Sequence, residues 1–144
     1  MIKTREQLLA SDPSEYMNQA QKNFFRSMLE KERDESLRDI EQAEIELKRA
    51  RSNESDELDQ ALIEEEHRIL ARLVERKSNL LQKIDNALRR LSGQGDSPFG
   101  YCVRTGEEIG LERLLVRPTA TLCIEEKRRA EKLERQRGGG RADF

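Results

Sequence analysis

The sequence predicts a mainly α-helical protein: a long antiparallel helical hairpin on a small globular base. Three observations predict it. Charged residues make up 39% of the chain, apolar residues 35% and aromatics 4%, with no Trp. That is too little apolar mass for a large spherical core, and it suits long helices that each bury one stripe. Apolar residues between positions 20 and 91 recur in steps of three and four, which argues for helix and against disorder. Finally, Arg51-Ser52-Asn53-Glu54-Ser55-Asp56 divides this region with residues that favour caps and turns.

Bulk properties exclude several functions. The 144 residues suffice for one compact domain or for a small domain plus an extended element. The net charge is −2, without the basic excess of a protein that tracks phosphate backbone. No apolar run reaches membrane length, and the start MIKTREQLLASDP lacks the apolar centre of a secretory signal. A cytosolic location is expected, with Cys102 and Cys123 reduced.

The elements follow in order. Ser11-Asp12-Pro13-Ser14 is a helix-start cue, since Ser11 or Asp12 can cap orphan amides and Pro13 tolerates the first turn. A helix is expected from about 14 to 51, its apolar positions including Met17, Ala20, Phe24, Phe25, Met28, Leu29, Leu37, Ile40, Ala43 and Leu47; Glu30–Ser36, EKERDES, interrupts them, and there both faces of the helix meet water. A second is expected along Leu58, Leu62, Glu65, Ile69, Leu73, Arg76, Leu80, Ile84, Ala87 and Leu91. That spacing lies nearer an eleven-residue repeat than a heptad and predicts weak supercoiling. Ile63, Leu70, Val74 and Leu81 widen the stripe. Such a helix extends roughly 50 Å. A short connection makes the two helices antiparallel neighbours.

Ser92-Gly93-Gln94-Gly95-Asp96-Ser97-Pro98 ends the second helix. A compact, turn-rich segment follows, and helix resumes from about 121 to 137. Four segments are thus expected: 1–31 in the base, a hairpin over 32–91 with its tip at 51–61, a ribbon-like segment and C-terminal helix over 92–137, and a flexible tail over 138–144.

Asp56 and Asp59 lie three apart at a helix start, in DELDQALIEEE. Carboxylates there are favoured by the helix dipole, and solubility alone would justify them. Two functional readings stay open beside that one. The pair can share a Mg²⁺ ion, or it can present acceptors to a partner's loop, with small Ala61 allowing close approach.

FGYCVRTG and TATLCIEE are laid out like the halves of a four-cysteine zinc site, but Thr105 and Glu126 stand where the second cysteine of each pair would be. Cys102, Thr105, Cys123 and Glu126 make a poor tetrahedral set, so zinc is not expected; Glu126 would be the third ligand if a metal did bind. Packing must then replace the metal. Candidates are Phe99, Tyr101, Val103, Ile109, Leu111, Leu114, Leu115, Val116 and Leu122. His67, the one histidine, reads as solvated or interhelical. The basic residues Lys127, Arg128, Arg129, Lys132, Arg135 and Arg137 are interleaved with glutamates, as in a salt-bridged helix.

Together YMNQAQKNFFRSML, DELDQALIEEE, PFGYCVRTGEEIGLERL and RPTATLCIEEKRRAE make the chain resemble the DksA/TraR family of bacterial transcription factors over nearly all of residues 15–135. The incomplete cysteine set resembles the family's zinc-independent members. The resemblance implies a non-enzymatic regulator that binds RNA polymerase, not DNA, and acts as a monomer. It implies that the hairpin enters the secondary channel and that Asp56, Asp59 and Ala61, the D-x-x-D-x-A motif, act near the active site. It implies altered open-complex stability at ribosomal RNA and amino-acid biosynthesis promoters in the stringent response, together with the alarmone ppGpp. The family's contacts to ppGpp fall on Arg76, Leu80, Lys83 and Lys127, of which the first three share a helical face. Arg and Lys suit phosphate oxygens. No cofactor is obligatory on this reading. Two other functions fit the pattern: a transcript-cleavage factor whose acidic tip helps hold catalytic Mg²⁺, and a coiled-coil adaptor with no polymerase role.

Overall fold

The computed structural model describes residues 1–52 and 57–138. Their elements are α1 (Arg5–Leu9), a 3₁₀ turn (Pro13–Glu15), α2 (Gln19–Ser52), α3 (Glu57–Leu91), α4 (Leu111–Val116) and α5 (Ile124–Gln136). Among the described residues the one β-type pairing outside these helices is an isolated antiparallel bridge, Tyr101 to Glu108. The chain forms two compact units, Met1–Leu29 with Asn86–Phe144, and Glu30–Asp85. The last turns of α3, Asn86–Leu91, belong to the first unit.

The first unit begins with a helix that the sequence reading did not anticipate. Thr4 caps α1 by accepting from the Gln7 amide, and the Gln7 side chain accepts from the Thr4 amide, a reciprocal capping box. This turn buries Leu8 completely, and α1 packs on α4. The Ser11–Pro13 cue starts only the 3₁₀ turn, where Asp12 accepts from the Ser14 amide. The long helix therefore begins at 19 and not at 14. Met17 adopts φ 55°, which breaks the helix, and Asn18 caps the new start by accepting from the Gln21 amide. Gln21, fully buried, reaches back to the Met17 amide and donates to Ser11.

Phe25, Leu29, Phe99, Leu114 and Leu122 fill this unit's core. The rings of Phe25 and Phe99 meet at 5.6 Å, tilted by 50°. Each such side chain contributes about 1.5–3 kcal/mol by leaving water. Two expected core residues do not join them: Val103 is exposed, and Val116 is 82% exposed. Arg90 ties the loop after α3 in place by donating to three carbonyls, those of Ser97, Pro98 and Tyr101. The C-terminal helix starts at 124, after an N-cap at Cys123 that makes no side-chain bond.

In the second unit α2 and α3 run antiparallel, as Arg33–Asp85 (2.9 Å) and Lys77–Asp39 (3.1 Å) show. The buried face of α3 is the expected one at its C-terminal end, where Ile84, Ala87 and Leu91 are buried, and shifts toward the widening positions before it. Leu62 and Ile69 are exposed, as are Glu65 and Arg76, while Leu70 is buried and Ile63, Val74 and Leu81 are half-buried. The seam thus runs through Ile63, His67, Leu70, Val74, Lys77, Leu81 and Ile84, alternating steps of four and three. That is a heptad, the period of a left-handed supercoil, and it replaces the eleven-residue repeat. His67 sits in this seam, with its Nε2 shielded from solvent. On α2 the segment Glu30–Ser36 does not show both faces to water: Ser36 is 1% exposed and Glu32 and Arg33 are half-buried. Leu37, expected inside, is exposed.

Candidate functional site

The residues singled out from the sequence fall in three places. At the start of α3, Asp59 occupies the first turn and Ala61 follows it, exposed; Asp56 lies outside the described residues. Farther along α3, Arg76 is exposed, whereas Leu80 and Lys83 are half-buried. Spacings of four and three put these three on one face of the helix. Arg76 does not interrupt an apolar stripe, because the seam passes through Val74 and Lys77 instead. Lys127 lies on α5, half-buried, 3.9 Å from the Glu131 carboxylate. It borders a groove of about 910 Å³ in the first unit, whose lining includes Leu9, Val116, Ile124, Arg113 and Arg117. The two arginines were not anticipated; only their place in the ERLLVRP run could have suggested them.

The ribbon-like segment places Cys102 and Cys123 in the interior, both as free thiols. Burial pushes the Cys102 thiol up, but hydrogen bonds outweigh it and bring the thiol down to about 6. They come from the Thr105 hydroxyl and from the amides of Cys123, Thr105 and Arg104. The sulfur is therefore held by a ring of donors, as an anion would be. Arg113 adds positive charge. Its Nε donates to the Leu122 carbonyl at 3.0 Å, and both cysteines attract its guanidinium. Burial is the main cause that holds its pKa below the usual arginine value.

Tyr16 locks this segment to the N-terminal region. Its hydroxyl donates to the Gly100 carbonyl at 2.7 Å and accepts from the Gly110 amide at 2.9 Å. Desolvation pushes it up to about 12.

Known proteins share this arrangement. Residues 21–91 match the family described as DnaK suppressor protein DksA, N-terminal domain, and residues 97–132 match the prokaryotic dksA/traR C4-type zinc finger. The RNA polymerase-binding transcription factor DksA of Caulobacter vibrioides is 38% identical over 125 residues, which cover 87% of this chain and 86% of that protein. This chain belongs to the DksA family. The Escherichia coli K12 protein of the same name is also 38% identical, with 87% of this chain and 81% of its own length covered. A solved structure of transcription factor DksA2 from Pseudomonas aeruginosa is 48% identical, with a TM-score of 0.81 over 91% of this chain and 98% of that one. These relatives are named as transcription factors, not enzymes. No helix among the described residues is long and apolar enough to cross a membrane.

The C4-type description implies zinc, and the residues present do not fit it. Only two thiols, Cys102 and Cys123, are present, and a hydroxyl and a carboxylate stand in place of the other two. Thr105 also accepts from the Glu107 amide. Glu126, the supposed third ligand, is buried between Arg129 at 3.3 Å and Arg104 at 3.7 Å. Among the described residues no three His, Cys, Asp or Glu side chains are grouped to hold a metal ion.

Proposed function

We propose that this DksA-family chain is a regulator that binds bacterial RNA polymerase through the secondary channel and alters open-complex stability at ribosomal RNA and amino-acid biosynthesis promoters. The observation that carries the reading is the antiparallel α2–α3 pairing, with the D-x-x-D-x-A motif falling at its turn. There Asp59 sits in the first turn of α3 and Ala61 is exposed. Asp56, Asp59 and Ala61 are the residues proposed to act at the polymerase active site. Arg76, Leu80, Lys83 and Lys127 are proposed to hold ppGpp, as suits a stringent-response factor. In support, the first three share a face of α3, and Lys127 stands beside a groove that also carries Arg113 and Arg117. The protein acts in the cytoplasm as a monomer, without an obligatory cofactor or zinc.

The test is in vitro transcription from a ribosomal RNA promoter, with and without ppGpp, beside a direct polymerase-binding assay. Asp59→Asn is expected to bind polymerase nearly as well as the parent and to lose inhibition. Equal loss of binding and effect would make the turn an attachment surface only. Release of short RNA fragments from backtracked complexes would replace regulation with stimulated cleavage.

A further inference from the structure

Along the hairpin unit the seam between α2 and α3 changes character. Ala43 and Leu70 are buried near the connecting segment, and Ile84 is buried at the other end. The middle is polar. Ser36 is 1% exposed, and Lys77 occupies a heptad position with 27% of its side chain exposed. Its Nζ lies 3.1 Å from the Asp39 carboxylate. Burial pushes the Glu32 carboxyl up, and Lys77 opposes that shift. One ammonium thus acts on two carboxylates a heptad apart on α2.

An apolar residue at 77 would bury more surface with less desolvation cost, so stability does not explain the lysine. Register does. A uniformly apolar heptad seam accepts a slip of seven residues, because each knob finds an equivalent hole, whereas a charge at a seam position does not. Such a slip would carry Lys77 about 10 Å from Asp39. In a hairpin it would also move the turn along the chain by half a heptad, roughly three to four residues. At present α2 ends at Ser52 and α3 begins at Glu57. Shifted one way, the turn would take in Asp59; shifted the other, it would draw Asp59 and Ala61 deeper into the helix pair.

We propose that Lys77, paired with Asp39, is the register lock of the hairpin: a positioning residue that decides which residues form its end. Its consequence for transcription rests on the function proposed above, but the register itself does not. The test places nitroxide labels on ketone-bearing residues introduced at Glu44 and Arg72, both exposed, and reads their separation by pulsed electron resonance. The parent protein gives one narrow distribution. Lys77→Leu melts at the same or a higher temperature, gains a second, longer distance, and loses promoter inhibition while still binding polymerase. The charge swap Asp39→Lys with Lys77→Asp restores the single distance. Lys77→Met, which keeps the aliphatic stem, repeats the test should the leucine variant not fold. A single, unchanged distance in Lys77→Leu overturns the proposal, whether the melting temperature holds or falls. If the parent protein does not inhibit transcription, the proposed function fails while the distance measurement still decides the register.

Discussion

The two units close their interiors with different proportions of apolar and polar groups. The unit of Met1–Leu29 and Asn86–Phe144 seals large apolar side chains, Phe25, Leu29, Phe99 and Leu114, and gives several of its polar groups more than one partner. Cys102, Tyr16 and Arg90 each meet several partners there. The Glu30–Asp85 unit also buries Leu70 and Ile84, but it sets small and charged groups among them: Ser36 and Ala43 are buried, and Glu32 and Lys77 half-buried. A mostly apolar interior favours stability, whereas a polar seam gives some up and selects one pairing among several. A small domain needs the first; two long helices need the second.

The sharpest way to break this comparison is to empty a core site in each unit. Phe25→Ala should cost about 3–5 kcal/mol, and Leu70→Ala about 2 kcal/mol, the lower end for a large-to-small change, because Leu70 sits at a partly exposed seam. Denaturant unfolding followed by circular dichroism measures both. Equal losses would mean that the hairpin seam is as tightly packed as the base.

Gly100→Ala probes the Tyr16 clasp. Gly100 has φ +90°, and an added Cβ would lie 2.8 Å from Met17 Cγ and 3.2 Å from the Tyr16 hydroxyl. The expected cost is about 1–3 kcal/mol. Thermal melts of Gly100→Ala beside Gly93→Ala isolate the packing part, since Gly93 shares the positive φ but meets nothing within 4 Å.

The thiol at Cys102 gives the comparison a pH axis. Its folded value of about 6 lies below the ordinary unfolded value of about 8.5. The folded state therefore holds fewer protons between those values. The stabilisation is fully present above about pH 8.5 and is lost as pH falls through 6. Melting temperature should rise across that window, and Cys102→Ser should flatten the rise. An identical pH profile in the two proteins would show that the donor ring does not stabilise a thiolate.

Much of this was legible in the sequence, and the misses have causes. Helix lengths were readable because charge and apolar periodicity persist for many turns. The face was legible only in part: Ile84, Ala87 and Leu91 are buried where the stripe put them, but Leu62 and Ile69 look like core yet stand exposed, while Lys77 looks like surface yet lies in the seam. Composition says which residues prefer burial, but the partner helix decides which face is covered. The capping box at Thr4 and Gln7 is present in the sequence, but a five-residue helix is too short to show a period. In the ribbon-like segment the loss of two cysteines was plain. The replacement was not, since backbone amides that hold a sulfur leave no mark on residue identity. Thr105 carries the one side-chain clue. Of the proposed site, the helical face of Arg76, Leu80 and Lys83 followed from spacing alone.

The smallest expected effect concerns Arg33. Its Nε lies 2.9 Å from the Asp85 carboxylate, a closer approach than that of Lys77 to Asp39. Distance would rank it first; exposure reverses the order. The Arg33 and Asp85 side chains are 41% and 51% exposed, so water and salt screen the pair. Arg33→Ala should cost under about 1 kcal/mol, and less as salt rises. It should also leave the label distance between positions 44 and 72 unchanged, because an exposed charge does not penalise a slipped seam. A broadened distance in Arg33→Ala would show that both cross-helix pairs set the register, and that exposure is the wrong criterion for telling a lock from an ornament on this hairpin.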